Sequence, residues 1–291
     1  MELSKETNNL FIRGVDVLPK EENPIGRIRC MLKNYLELDN VNFLFGTGSS
    51  IIIGARSIQS IPCVIEEAIK TEKLKDECTT EEKNPLYDEL IDIIKTLQNE
   101  STNVKRQSWK NDKGEDVYGE IDYSLEKLLN YLLAIDFIQG YSVDATNYKH
   151  IGSLITIIKR ELFRLCDLDS QPINKSILSD TAKKHLKENR YYYHEYFTKK
   201  VLQRPLNLKR VNIFTTNYDL AFDNAFDRLG VNYINGFSGF HNRYFKPETF
   251  EYDIFFPGST TQGKVQRIEK VLRYFKIHGS LTWINREPSA N

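Results

Sequence analysis

Hydrophobic positions divide the chain into two regions with different periodicities. The short apolar run VNFLF over 41–45, closed by Gly46, has the length and character of a strand buried on both faces of a parallel sheet. After Arg210 the pattern predicts a strand over 211–215, an amphipathic helix over 218–229 and a strand over 231–234. This succession indicates a βαβ unit and therefore a parallel sheet.

Between these segments, apolar residues recur at spacings of three and four, which is typical of helices. The stretch over 101–120 is polar and contains glycine, so it predicts a long loop or a small hairpin. We therefore expect an α/β fold with a Rossmann-like parallel sheet. Residues 1–62 and 206–291 form the sheet domain in this interpretation, and residues 63–205 form an all-helical insertion.

The last part of the chain returns to strands. A loop rich in Gly, Phe and Tyr is predicted over 235–263, and VLRYFKIHGSLTWI follows it. That sequence predicts a strand, a turn at His278, Gly279 and Ser280, and a second strand.

Charge and hydropathy change this picture little. Forty basic and forty acidic residues cancel, so no global field attracts nucleic acid or an anionic membrane. No apolar run reaches the roughly 18 to 20 residues of a membrane span, and the polar start lacks the apolar centre of a signal peptide. These features predict a cytoplasmic protein with no membrane association. The four cysteines (Cys30, Cys63, Cys78 and Cys166) are scattered and predict reduced, structural thiols.

Three compact polar turns follow predicted strands. They are Gly46-Thr47-Gly48-Ser49-Ser50, Thr215-Thr216-Asn217-Tyr218-Asp219 and His278-Gly279-Ser280. In an open α/β sheet, ligands bind outside the carboxyl ends of the strands. If the three strands are parallel neighbours, the three turns meet at one edge of the sheet.

Each turn also has a structural interpretation. Gly46 and Gly48 would let backbone N–H groups approach a pyrophosphate, but Gly-x-Gly is also an ordinary tight turn. Ile51 occupies the third glycine position of the dinucleotide fingerprint, which therefore fails. Asn217 and Asp219 can line a pocket or cap the next helix. A histidine such as His278 can be a base near neutral pH or a structural residue.

The ordered series GTGSS, TTNYD and KIHGS resembles the motifs of the sirtuin family, Gly-Ala-Gly-x-Ser, Thr-Gln-Asn-x-Asp and the catalytic His-Gly. The resemblance covers residues 41–60, 211–234 and 271–284 and implies a sirtuin-type sheet that binds NAD. It implies that Asn217 and His278 are catalytic. The cofactor-binding residues that it implies are Gly46, Thr47, Gly48, Ser50, Thr215, Asp219, Gly279 and Ser280. We expect no metal ion.

The chain departs from protein-deacylating sirtuins because it lacks their four-cysteine zinc module. It resembles instead the sirtuin-like NAD-cleaving effectors of bacterial antiphage systems. That resemblance implies hydrolysis of NAD to nicotinamide and ADP-ribose, a homo-oligomer, and a HerA-type hexameric ATPase as partner. The sirtuin fold also uses later strands for the adenosine half of NAD, and only thirteen residues follow His278. Either the sequence is a fragment or adenine is bound differently, and we expect a fragment.

Two other functions remain open at this stage. The chain could be a non-catalytic subunit that binds NAD or ADP-ribose and regulates an assembly. It could also be a DNA-acting or nuclease subunit of an ATPase complex, since the aromatic and basic stretches over 190–200 and 240–246 suit single-stranded nucleic acid. The first of these stretches is equally suited to a subunit contact.

Overall fold

The parallel sheet predicted from the apolar runs is present in a computed structural model of the chain. The model describes residues 11–12, 15–16, 22–57, 60–72, 84–99, 101–110, 116–142, 146–174, 178–205, 207–239, 241–256, 266–267 and 271–283. Within this part the chain divides into two compact units. The first consists of the described residues within 1–46, 188–217 and 221–279, and the second of those within 47–187, 218–220 and 280–291.

The strands of the described chain are β1 (Phe11–Ile12), β2 (Val15–Asp16), β3 (Asn42–Phe45), β4 (Arg106–Lys110), β5 (Asp116–Ile121), β6 (Asn212–Thr215), β7 (Asn232–Ile234), β8 (Phe237–Ser238), β9 (Tyr244–Phe245), β10 (Phe255–Phe256), β11 (Gln266–Arg267) and β12 (Val271–Lys276). Its helices are α1 (Pro24–Leu36), α2 (Ile61–Thr71), α3 (Pro85–Gln98), α4 (Leu125–Tyr141), α5 (Ile151–Cys166), α6 (Asp180–Glu188), α7 (Tyr192–Val201) and α8 (Ala221–Leu229).

The first unit is built on a four-stranded sheet in the order β3-β6-β12-β7, with every neighbouring pair parallel. Because β12 lies between β6 and β7, the predicted strand-helix-strand unit skips one strand. One face of the sheet packs on α7 and α8 around buried Ile213, Phe226 and Tyr274. The alternation of inward and outward side chains along the strands produces this layer.

The second unit is mainly helical. Helices α2, α3, α4 and α5 surround one apolar core, in which the fully buried side chains recur at helical spacing. They include Leu86, Leu90 and Ile93 of α3, and Leu128 and Leu132 of α4. Their spacing is the pattern from which the helices were predicted.

Several sequence expectations need correction. The loop predicted over 235–263 contains the short strands β8, β9 and β10. Strand β3 is not buried on both faces, because Leu44 is 70% exposed. The insertion is not all-helical, because β4 and β5 form an antiparallel hairpin, the second of the two structures expected for 101–120. Helix α8 begins at Ala221 instead of residue 218. No second strand follows His278 in the described residues, where 281–283 form a turn closed by the Trp283 N–H donating to the Ser280 carbonyl oxygen (3.1 Å).

The boundaries of the two observed units also differ from the domain boundaries predicted from the sequence. Helix α7 lies inside the predicted insertion of 63–205, yet it packs against α8 in the sheet unit, where the Phe197 ring contacts Phe43 and Phe45. Residues 47–62, which the sequence assigned to the sheet domain, belong to the helical unit. Periodicity identifies a helix but does not show which core its apolar side covers.

Candidate functional site

The carboxyl ends of β3, β6 and β12 lie side by side in the first unit, because these strands are consecutive and parallel. Gly46 follows β3, Thr215 ends β6 and His278 follows β12. The three turns identified in the sequence therefore leave the sheet at one edge, as their order predicted. This is the edge at which open α/β sheets bind ligands.

A chain of hydrogen bonds connects the first two strand ends. The Thr216 N–H donates to the Phe45 carbonyl oxygen (3.0 Å), and Asn217 Nδ2 donates to the Gly46 carbonyl oxygen (3.1 Å). The Asn217 N–H donates to Thr215 Oγ1 (3.1 Å). Thr215 and Asn217 are 1% and 9% exposed, so these bonds are shielded from water. The contacts hold the Asn217 amide in one place at the sheet edge.

The helix-capping alternative fails for Asn217. An N-cap residue directly precedes its helix and accepts a bond from an N–H of the first turn. Helix α8 begins four positions later, at Ala221, and the Asn217 side-chain amide donates to the β3 turn instead. Asn217 therefore belongs to the sheet edge.

His278 lies on the next strand end of the same unit. The Ile277 N–H donates to the Thr215 carbonyl oxygen (2.9 Å), which continues the β6–β12 pairing up to the residue before His278. His278 is exposed, and Gly279 has a φ of +97°, a left-handed value that favours glycine. The turn thus presents the imidazole at the surface of the unit.

A buried ion pair lies behind this edge. The side chain of Lys276, at the end of β12, is only 4% exposed, and its Nζ lies 3.1 Å from Asp223 Oδ2 in α8. The Tyr274 hydroxyl donates to the same carboxylate oxygen (3.2 Å). Nearby, burial first and the Asp227 and Asp223 carboxylates next raise the pKa of Tyr233 to about 12. Sequence analysis missed these residues, although a lysine in the apolar run VLRYFKI was a visible signal.

The remaining predicted residues belong to the second unit. Thr47 and Gly48 lie in the short 3-10 helix Thr47–Ser49, and the fully buried Ser50 follows it, with the Ser50 N–H donating to the Thr47 carbonyl oxygen (2.9 Å). Asp219 is 8% exposed.

Within this unit the segments that carry Asp219 and Ser280 are in contact, because the Leu281 N–H donates to the Tyr218 carbonyl oxygen (3.2 Å). Five of the ten predicted site residues thus lie in the sheet unit (Gly46, Thr215, Asn217, His278 and Gly279) and five in the helical unit (Thr47, Gly48, Ser50, Asp219 and Ser280).

Neither Gly46 nor Gly48 is required by the described structure. Neither has the left-handed φ at which glycine is favoured. A Cβ at Gly46 would make an ordinary contact, 3.7 Å from Thr216 Oγ1. Apart from its chain neighbours, a Cβ at Gly48 would meet no atom of the described residues within 4 Å. The remaining physical advantage of glycine at these positions is that it leaves the backbone accessible to a ligand.

The described residues contain no group of three His, Cys, Asp or Glu side chains that could hold a metal ion. In the same part of the chain, no helix is both long and apolar enough to cross a membrane.

The fold and the sheet edge define an α/β protein with a parallel sheet and a polar carboxyl edge. No protein-family model matches the sequence, and no curated protein matches it significantly.

Proposed function

We propose that the chain is an NAD hydrolase that releases nicotinamide and ADP-ribose and acts by NAD depletion in bacterial antiphage defence. The observation that carries the proposal is that the three polar turns follow β3, β6 and β12, whose carboxyl ends are neighbours at one edge of the parallel sheet. Their motifs have the order and composition of the sirtuin series. The shielded amide of Asn217 and the exposed His278 supply the chemistry at this edge.

In the proposed reaction, the bond between nicotinamide and the ribose C1′ breaks, and nicotinamide leaves with the bonding electrons. The ribose then carries positive charge, which the Asp219 carboxylate and oriented dipoles stabilise. Water held by the Asn217 amide forms the new bond to C1′, and its proton passes to His278 or to solvent. One water is consumed and one proton is released for each NAD.

Glycine at positions 46 and 48 supports the phosphate part of the proposal. Backbone N–H groups beside glycine can approach a pyrophosphate closely. Thr47 and the Ser50 segment would hold the phosphates and the adjoining ribose, while Thr215, Gly279 and Ser280 would border the nicotinamide half. In the proposed system a HerA-type hexameric ATPase is the partner, and the chain forms a homo-oligomer.

The direct test is incubation of the protein with NAD, with and without the partner ATPase, followed by chromatographic measurement of nicotinamide and ADP-ribose. We expect Asn217→Ala and His278→Ala to lower the rate by about 100-fold or more, as for loss of a positioned polar or acid-base group. Asn130→Ala and His185→Ala are matched controls in the helical unit. Equal rates in all five proteins would refute the mechanism.

Measurements of NAD binding and NAD cleavage distinguish the proposed hydrolase from a regulatory NAD-binding subunit. Calorimetry that detects NAD binding, with no nicotinamide released even in the presence of the ATPase, would favour a regulatory NAD-binding subunit. Circular dichroism of each variant is needed beside the rates, because Asn217 also bonds to the neighbouring strand end. If the Asn217→Ala protein is unfolded, the rate of His278→Ala tests the mechanism alone, because the His278 side chain is exposed and its loss should not disturb the fold.

A further inference from the structure

Helix α1 is a well-defined helix that buries none of its own residues. The Asn23 side chain accepts a hydrogen bond from the Gly26 N–H (2.9 Å), and Pro24 occupies the first helical position, so the start of the helix is strongly specified. At the other end, Arg204 donates to the carbonyl oxygens of Leu36 and Leu38. Yet no residue of α1 is fully buried.

This exposure is unusual for an amphipathic helix of thirteen residues. Helices of this length are marginal without packing of their apolar side. Ile25, Ile28, Leu32 and Tyr35 follow one another at spacings of three and four, which makes one apolar stripe. Leu32 and Tyr35 are 54% and 58% exposed. The stripe therefore has the character of a surface that packs against another element.

Leu32 and Tyr35 of this stripe line a large groove inside the sheet unit. Helix α1 forms one wall, and α7 forms the other with Tyr193 and Tyr196. Val41, just before β3, and Phe43, within β3, also line the groove. The groove has a volume of about 1100 Å³. This volume is at the upper end of the range of small-molecule pockets, about 300 to 1,000 Å³, and the groove runs between two helices, so it has room for a helical segment.

The rim of the groove is basic. Arg29, Lys33 and Lys200 line it, and none of them forms an ion pair with a carboxylate within the part of the chain that the structure describes. Lys200 Nζ lies over the Tyr196 ring, 5.4 Å from its centroid. Arg204 also lines it, but its guanidinium donates to backbone carbonyl oxygens. Glu37 is the one acidic side chain among the described lining residues. An occupant with acidic flanks would therefore be complementary in charge.

We propose that this α1–α7 groove binds an amphipathic helix of a partner protein, with apolar residues facing the groove and Asp or Glu on its flanks. Two helical walls favour a third helix, because ridges of side chains pack into the spaces between such walls. A second copy of this chain is disfavoured, since a two-fold contact would place the basic rim against itself. The groove does not depend on NAD chemistry.

The test uses two synthetic peptides of about 18 residues with leucines at helical spacing. One carries glutamates on its polar flanks and the other carries lysines. Fluorescence anisotropy with the whole chain should show that the glutamate peptide binds at least about tenfold more tightly. Leu32→Asp should weaken that binding about tenfold or more. Leu133→Asp, at an exposed position of α4 in the other unit, is the matched control and should change nothing.

Charge reversal tests the rim separately from the apolar wall. The double variant Lys33→Glu, Lys200→Glu should prefer the lysine peptide, and the preference should shrink as salt rises. Equal binding of both peptides, or no binding of either, would refute the proposal. Two further results would also overturn it. One is a dimer, measured by light scattering, that Leu32→Asp dissociates and Leu133→Asp does not. The other is tight binding of an oligothymidylate that is lost when Lys200 is changed.

Discussion

The side-chain amide of Asn217 donates a hydrogen bond to the carbonyl oxygen of Gly46, at a distance of 3.1 Å, although 171 positions separate the two residues. The bond joins the turn after β6 to the turn after β3. It is well shielded, because Asn217 is 9% exposed. A candidate catalytic residue is thus also a structural tie between two neighbouring strand ends.

This relationship predicts the effect of Asn217→Asp. An ionised carboxylate cannot donate to the Gly46 carbonyl oxygen, and it would instead place two acceptors side by side. We expect the free energy of unfolding, measured with urea at neutral pH, to fall by about 1–3 kcal/mol. Asn130→Asp, on the exposed side of α4, should change it by less than about 0.5 kcal/mol. Equal stability of the two variants would show that the bond is not formed.

The ion pair of Lys276 and Asp223 gives a second prediction. Lys276→Met removes the cation and leaves the Asp223 carboxylate, which is 21% exposed, to be hydrated only in part. We expect a loss of about 3 kcal/mol of unfolding free energy. The double variant Lys276→Met, Asp223→Leu should recover only part of that loss, because an apolar pair can replace a buried ion pair but removes the acceptor of the buried Tyr274 hydroxyl.

The measurement for this pair is a double-mutant cycle in urea. Additive effects of the two single variants would contradict a direct interaction. Lys276 is two residues before His278 and Asp223 is in the first turn of α8, so the cycle also shows how firmly β12 is tied to that helix. Tyr274→Phe should cost less than either charged variant, because it removes one hydrogen bond and no charge.

Substitutions of Gly48 should change ligand binding without changing the stability of the fold. Its Cβ position is open in the described chain and its φ is not left-handed, so Gly48→Ala and Gly48→Val should fold with stability close to that of the parent. If a dinucleotide lies against this backbone, the added side chain would displace it. We expect NAD affinity, measured by calorimetry, to fall about tenfold for Ala and further for Val.

Unchanged affinity in both Gly48 variants would remove the phosphate-binding argument. Gly54→Val is a useful contrast, since Gly54 has a φ of +104° and a Cβ there would lie 2.7 Å from Gln171 Cβ. That variant should lose stability in a thermal melt, in contrast to Gly48→Val. The comparison thus distinguishes a glycine that the fold requires, Gly54, from a glycine that leaves space for a ligand, Gly48.

The strands of the sheet were largely predictable from sequence. The expected runs 41–45, 211–215 and 231–234 each match an observed strand to within one residue. Their short length, their β-branched and aromatic residues and the Gly or polar residues that close them distinguish such runs from helices. The strands that carry the three turns are parallel neighbours, as the sequence analysis required for the turns to leave the sheet at one edge. The position of β12 between β6 and β7 did not follow, since strand order depends on contacts distant in sequence.

The start of α8 shows why the finer features escaped prediction. The polar segment TTNYD resembles an N-terminal helix signal, but the Asn217 N–H is already bonded to Thr215 Oγ1 and its side chain to Gly46. Tertiary contacts therefore keep this segment out of the helix, which begins at Ala221. The Lys276–Asp223 pair could not be predicted for the same reason. The lysine in an apolar run was a signal, but nothing in the sequence around either residue indicates that the two meet.

His194 gives the last prediction, which concerns pH. It lies in α7, is 4% exposed, and its ring centroid is 4.8 Å from that of Phe222. Within the described part of the chain neither ring nitrogen has a hydrogen-bond partner. Burial lowers the pKa of His194 from 6.5 to about 4, because the charged imidazolium is poorly solvated there. The folded protein therefore holds this histidine neutral.

The sign of the pH effect follows from this direction. Above pH 6.5 both folded and unfolded states have a neutral His194, and its protonation costs no stability. As the pH falls from 6.5 towards 4, the unfolded chain gains a proton that the folded chain does not, so stability decreases by about 2–3 kcal/mol. His194→Phe should lack this loss. Urea titrations of both proteins at several pH values give the comparison, and parallel curves between pH 6.5 and 4 would show that His194 is hydrated in the folded state.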